Sequence, residues 1–544
     1  MRKKAKQLVA LALAGMMLLL CGCGGGGTTV SSTEYDFEVT MAPGYPIDNT
    51  QEIEWWVPIN VGVTTKYGNL TDTPFAAMLK ENTGANIKFI HPPTGQEASQ
   101  FNIVVSSGQL PDIMSYSWGN YANGGSAGAV RDNLILPINK ILEKGGAPAL
   151  KALLDSNPVW KDSVYTDEGW LPGFPSVGAL SQVVYSGPMI RKDLLDKAGL
   201  GIPETIAEIE TALYAFKEQG IKIPLEVELG KHMVAGNAVV GGFGIGASYY
   251  VDNGKVKYGP AQPEFKEFLA TMNKWFNDGL YDREFSTLQG SGRMTSELLA
   301  GNIGLAFGAN GGNWGKYLPA LEETRPDVKF VTMPFPTTEK GKKPEFGHME
   351  NRAGGAYTAI TTGCDNIELA AKLLDYAYTE EGHLATNYGK KGRDWEYDAD
   401  GIVRFTDAFT NQNSEMNGGQ SVSDMMGQHT ASGSVAFGRV QDEGILNVLF
   451  SREDQKENVR IWTQTNMAEH QFPNVQYTTE EAQEIASLKT AIETHMHEMM
   501  YKFIAGTESL DKWDTYLANY ETIGLSRALE IMQAAYDRYV ARTK

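Results

Sequence analysis

EIEWWVPIN (residues 52–60), TPFAAMLKENTG (73–84) and NIKFI (86–90) follow closely enough to read as one folding unit. The first is a short apolar run rich in Trp, Ile and Val, which predicts a buried strand with Trp55 and Trp56 in the core. In the second, Thr73 is placed to cap a helix, Pro74 takes the first helical position, and Gly84 ends it. Phe75, Met78 and Leu79 fall on one face of that helix. NIKFI predicts the next strand. IVVSSGQLPDIMSY (103–116) adds a helix ending at Gly108 and a third strand over Asp112–Tyr116. Strand, helix, strand, helix, strand predicts an α/β fold on a mostly parallel sheet.

The pattern restarts after VYSGPMIRKDLLDKAGL (184–200), with an amphipathic helix in ETIAEIETALYAFKEQG (204–220) and helix, Gly stop, strand in MTSELLAGNIGLAFG (294–308). DNIELAAKLLDYAYTEEG (365–382) and GLSRALEIMQAAYDRYV (524–540) carry apolar stripes at helical spacing. GNYANGGSAGAV (119–130) and the Ser- and Gly-rich residues 414–438 read as loops. No internal repeat or heptad run is present. Two α/β units followed by long helices predict two lobes.

The N-terminus bears on the compartment. Arg2, Lys3, Lys4 and Lys6 precede an apolar run, Leu8–Leu20. A bilayer-spanning helix needs about 20 apolar residues, so this shorter run reads as a secretory signal. It stops at LLLCGCGGGGT (18–28), where Leu20-Cys21-Gly22-Cys23 resembles the lipobox of bacterial lipoproteins. That resemblance implies cleavage before Cys23 and acylation of its sulfur, hence a cell-membrane protein lipid-anchored on the extracellular face. Cys21 departs from the small residue usual at the middle position, and as the acylated residue it is the poorer candidate because Leu20 is bulky. A plain signal peptide is the alternative. Residues 1–22 are then the signal, and 23–45 the lipidated cysteine with a flexible Gly-rich leash. Only Cys364 would remain, so no intrachain disulfide is possible.

Removing the signal leaves 43 basic against 66 acidic residues, a net charge near −23. Such a surface repels nucleic acid and makes a strongly anionic ligand an unexpected one, though a local pocket can defy the average. Hydrophobic content of 42% and 10% aromatics suit a large core.

SSGQLPDIM (106–114), GWLPGFP (169–175), MIRKDLLDKAGLGIPET (189–205), NDGLYDREF (277–285), LLAGNIGLAFG (298–308), residues 373–401, and DKWDTYLANYETIGL with QAAYDRY (511–539) occur in the order found in extracellular solute-binding proteins family 1. The chain resembles the long, Gram-positive lipoprotein branch of these ABC-importer sugar-binding proteins. The resemblance implies a two-lobed periplasmic-binding-protein-like fold of type II, with discontinuous lobes joined by a hinge. Lobe 1 is expected over 46–177 plus 352–405 and lobe 2 over 178–351 plus 406–544. The crossings are expected near Pro175–Ser181, near Glu350–Gly355 and around Arg404–Phe409. It also implies a monomer, a carbohydrate ligand and ABC permease subunits as partners, with no cofactor. Some members carry a calcium loop where this chain reads FKEQGIKIPLEV (216–227), which lacks the oxygen ligands calcium needs. No metal is expected there.

In open α/β sheets ligands sit beyond the carboxyl ends of the strands, which selects Asn60, Tyr116, Trp118 and Asn120 after the first and third strands. It also selects Asn310, Asn313 and Trp314 after 304–308. Trp118, Trp314 and Trp395 lie in Gly- and Asn-rich contexts and are expected to cover sugar faces, and Arg352 to clamp hydroxyls. GGSAG (124–128) matches a nucleophile elbow only formally, because it lies inside a Gly-rich loop. HMHEMMY (495–501) has Tyr501 where H-E-x-x-H needs His, so it reads as a solvated face, and DADG (398–401) reads as a turn. No Walker A pattern occurs. The reading is a non-enzymatic receptor for an oligosaccharide. The alternatives are a lipid-anchored glycoside hydrolase, marked by two carboxylates across a bound linkage, and a peptide receptor on the same scaffold.

Overall fold

The Thr73 hydroxyl accepts from the Ala76 N–H and Gly84 adopts φ +73°, so the helix Pro74–Thr83 begins and ends on the residues that signalled it. In this computed structural model, which describes residues 35–543 apart from 65, 179–183, 235, 286–290, 352, 435 and 451, that helix links the first two strands of a sheet. The chain divides into residues 1–35 and the unit Asp36–Lys544, and all that follows concerns the second. The signal, Cys23 and the leash up to residue 34 lie outside the described residues, as does Arg352.

Strands β1 (Glu52–Trp56), β2 (Asn86–Ile90), β3 (Ile113–Tyr116) and β4 (Phe174–Val177) come first. The chain then forms β5 (Ser186–Arg191), β6 (Ile223–Glu226), a hairpin of β7 (Tyr249–Asp252) and β8 (Lys255–Tyr258), β9 (Ile303–Ala309) and β10 (Phe330–Thr332). It returns with β11 (Ala353–Ile360), a hairpin of β12 (Trp395–Tyr397) and β13 (Val403–Phe405), and β14 (Arg439–Val440). One sheet has the order β14-β4-β11-β3-β1-β2 and the other β10-β5-β9-β6. In the first, β1 pairs parallel with β2 and β3, while β11 runs antiparallel between β3 and β4. Each sheet belongs to one lobe of a two-lobed periplasmic-binding fold.

The third passage between lobes differs from the expected one. Residues 439–440 are still on the first sheet, where Arg439 pairs with Ser176 and Val440 with Val177. A satellite core of Tyr388, Trp395, Phe405, Phe409, Met425 and Met426 holds the intervening chain together. The next segment on the second sheet is the helix Glu453–Trp462, where Trp462 Nε1 donates to the Pro188 carbonyl at 3.2 Å and its ring lies against Gly187 of β5. Two supposed loops are helical, Gly125–Arg131 and Val422–His429. The second has a capping box between Ser421 and Asp424, a signal legible in the sequence. In the first, glycine permits close packing, since a Cβ on Gly128 would stand 1.8 Å from the Asn123 carbonyl oxygen.

The C-terminal helices, Thr479–Ala505, Trp513–Ile523 and Leu525–Thr543, complete the core of the second lobe through Ile492, Met496, Tyr516 and Met532. His495 is half-buried and stacks on Tyr516, a correction to the solvated face expected there. Asp398 Oδ1 accepts from the Asp400 and Ile402 N–H groups, making DADG the turn of the β12–β13 hairpin. The last helix also reaches the first lobe, where Asp167 accepts from Arg538 at 2.9 Å and from Arg542.

A methyl group on Gly187 would stand 2.4 Å from the Trp462 ring. Gly187→Ala should therefore cost roughly 1–3 kcal/mol, measured by urea unfolding. Unchanged stability would show that Trp462 does not hold its helix on β5.

Candidate ligand cleft

The first-lobe rim follows the ends of β1 and β3. On the first lobe, the chain leaving β1 reaches Asn60, whose carbonyl accepts from the N–H groups of Val63 and Thr64. Asn60 is exposed, its Nδ2 donates to the Ser432 carbonyl, and its N–H donates to the Gly433 carbonyl at 2.9 Å. It thus joins the end of β1 to the segment after helix Val422–His429. Beyond β3, Tyr116 is half-buried, stacked on Phe101 at 4.2 Å and edge-on to Trp56 at 5.8 Å, while Asn120 is exposed. Burial pushes the Tyr116 hydroxyl up, and its hydrogen bond with Asn120 opposes this.

The tryptophans are not on the rims. Trp118 and Trp314 are 0% exposed and Trp395 is 3% exposed. Each indole N–H donates to a nearby backbone carbonyl, of Met114, Gly308 and Gly389 respectively. A ring with its polar handle satisfied and its faces packed is core, so the expected platforms are corrected to packing residues. Asn310 is corrected too. It is fully buried, its Nδ2 donates to the Gln455 carbonyl and its Oδ1 accepts from Asn458 Nδ2, both at 2.8 Å. Asn313, also buried, accepts from the Ala309 N–H and donates to the Tyr317 hydroxyl. The glycines that suggested exposure instead allow close approach: a Cβ on Gly315 would meet Gln455 Nε2 at 2.8 Å.

The sequence reading missed the residues that do face an opening. A cavity of about 210 Å³ lies between Thr410, Gln412, Ser421 and Ser423 on the first-lobe side and Gly311, Gly315, Arg452 and Gln455 on the other. Its lining combines hydroxyls, amides and the apolar Pro319 and Val422 with one guanidinium that is already paired with Glu322 and Asp454. At its edge Lys316 and Asp424 pair at 3.2 Å across the lobes. The Ser, Thr and Gln content of 410–423 was visible, but only the fold turns it toward the second lobe.

The crossings are clipped together. Tyr185, entering β5, donates from its hydroxyl to Glu350, and its ring meets that of His348 edge-on at 4.7 Å. His348 is buried, its Nδ1 has no partner among the described residues, and burial pulls its pKa down to about 4. Among the described residues no group of three or more His, Cys, Asp or Glu is arranged to hold a metal ion.

Residues 63–383 match the bacterial extracellular solute-binding protein family, and the chain belongs to it. The fructooligosaccharide ABC transporter substrate-binding protein FusA of Streptococcus pneumoniae is 23% identical over 496 residues, covering 85% of this chain and 86% of that protein. Lipoprotein LipO of Bacillus subtilis is 23% identical over 343 residues, 60% of this chain and 64% of LipO. Among solved structures, alginate-binding protein AlgQ2 without calcium ion matches with a TM-score of 0.74 and 22% identity, covering 91% of this chain and 99% of AlgQ2. FusA in complex with kestose matches with a TM-score of 0.72 and 20% identity, over 90% of this chain and 100% of FusA. These likenesses carry the fold, and FusA is a substrate-binding protein of an ABC transporter.

His348 stays neutral in the folded chain down to pH about 4, whereas the unfolded chain protonates it below about 6.5. The unfolded state then binds more protons, so stability falls as pH drops through that window, by roughly 3 kcal/mol at most. Urea unfolding at pH 7.5, 5.5 and 4.5 should show a smaller acid loss in His348→Gln than in the parent. Equal losses would place the acid sensitivity elsewhere.

Proposed function

We propose that this chain is the substrate-binding lipoprotein of an ABC importer, capturing an oligosaccharide between its lobes and delivering it to permease subunits as a monomer. The observation that carries the reading is the cavity between the lobes, lined by Thr410, Gln412, Ser421, Ser423 and Gln455, groups that exchange hydrogen bonds with sugar hydroxyls without a fixed charge. Asn60, Tyr116 and Asn120 are the first-lobe candidates, and the Tyr116 ring offers an apolar face. The lobes comprise 46–177 with 352–440, and 178–351 with 453–544. FusA, the fructooligosaccharide-binding relative, supports a carbohydrate ligand. The name of LipO, a lipoprotein, supports anchoring through Cys23.

Capture needs no bond in the ligand to break. The ligand binds the closed arrangement better than the open one, and that difference drives closure. Titration calorimetry of the purified chain with a panel of oligosaccharides should give saturable binding, with the sugar recovered intact. A ligand returned in fragments would favour the glycoside hydrolase, and binding of peptides alone the peptide receptor. Cys23→Ser should move the chain from the membrane fraction to the medium, scored by immunoblot. An unchanged membrane fraction would overturn the lipid anchor.

A further inference from the structure

Arg439 is 8% exposed, yet among the described residues no carboxylate pairs with it. Its Nε and Nη1 are enclosed with no hydrogen-bond partner among the described residues. Its remaining bond, from Nη2 to the Ser432 hydroxyl at 3.4 Å, is long and only partly buried. The chain treats another buried guanidinium differently. Arg191, 4% exposed, donates from Nε and Nη2 to the two oxygens of Asp193, both at 2.7 Å, and from Nη1 to the Gly301 carbonyl. A buried cation without a counter-charge is costly, so Arg439 calls for an anion that the chain itself does not supply.

Its place in the fold says where that anion arrives. β14 and β4 run parallel, and Val177 is the last residue of β4 before the first crossing. Arg439 therefore stands at the carboxyl end of the sheet, where ligands of α/β folds sit. Ser432 links the guanidinium to the opposite side of that edge, because its carbonyl accepts from Asn60, four strands away in the sheet order. Gln428, on the helix leading into Ser432, buries an Oε1 that also lacks a partner among the described residues. A donor-only cation and a free acceptor border the same loop. Burial alone pulls the Arg439 guanidinium down to about 10, with no neighbouring carboxylate acting on it.

We infer that Arg439 recognises a carboxylate on the bound solute, so that the ligand is an acidic oligosaccharide bearing uronate or sialate groups. This rests on the carbohydrate reading above. A guanidinium matches the planar, two-oxygen carboxylate, while the Gln428 acceptor suits a sugar hydroxyl. With the solute bound, the charge is matched at the hinge end of the cleft.

The test uses the full acylated chain in detergent micelles, titrated with uronate and sialylated oligosaccharides and with the same sugars after reduction of each carboxyl to an alcohol. The acidic form should bind, its reduced counterpart should bind at least about tenfold more weakly, and Arg439→Met should weaken the acidic form about 100-fold. Without ligand, Arg439→Met should melt no lower than the parent, because it removes an unpaired buried charge; Arg439→Lys keeps a charge and should retain part of the binding. Acidic and reduced sugars binding alike, or an Arg439→Met chain that binds normally, would overturn the inference and leave the carbohydrate reading standing. Binding of peptides to the exclusion of every sugar would overturn both. Failure of the entire acidic panel, with neutral sugars bound, would overturn the inference alone.

Discussion

The hydroxyl of Thr358 is where the first lobe closes. On β11, it shares a hydrogen bond with the Ser115 hydroxyl of β3 at 2.7 Å, lies 3.1 Å from the Ala436 carbonyl and accepts from the Gly438 N–H at 2.9 Å. Ser115 in turn accepts from Trp55 Nε1 of β1 at 2.8 Å. Four stretches of chain, near residues 55, 115, 358 and 437, thus meet in one buried network at the centre of a single sheet. Such a network favours one arrangement because each member left unpaired carries its full desolvation cost. Since β11 lies between β3 and β4, the first sheet stays open until the chain has passed through the second lobe and returned. The discontinuous lobes, and the crossings between them, follow from that insertion.

The insertion also explains what the hinge holds. Crossings that must run side by side bring Tyr185 against His348 and Glu350. The pair across the opening is weaker: Lys316 is 45% and Asp424 23% exposed, and such pairs contribute about 0–1 kcal/mol. The crossings are thus held by a half-buried tyrosine against the buried His348 ring, and the opening by a partly exposed ion pair.

Where a local rule alone decides, the sequence was sufficient. Thr73, Pro74 and Gly84 bound their helix through their own backbone preferences, and the apolar runs on either side are parallel neighbours in register from Glu52↔Asn86 to Trp56↔Ile90. The cleft was far less legible. Trp118, Trp314 and Trp395 sit in glycine-rich stretches, and glycine there reads equally as an exposed loop or as room for a packed ring. The structure takes the second, as the Trp314 indole against Gly308 shows. The return of the chain to the first sheet at Arg439–Val440 was hidden for a related reason. A two-residue strand has no periodicity, and only its pairing with Ser176 and Val177 reveals it.

Charge shows the same separation between average and place. A net charge of −19 argues against an anionic ligand as long as surface potential decides. Exposed charges are screened over about 8 Å at physiological salt, however, whereas a buried group feels its few neighbours with little screening. Arg439 has no acidic neighbour drawing on it, so the surplus of carboxylates on the surface does nothing to neutralise it. One buried cation at the end of the sheet sets the local preference. Composition therefore constrains what the protein approaches, and the cleft constrains what it holds.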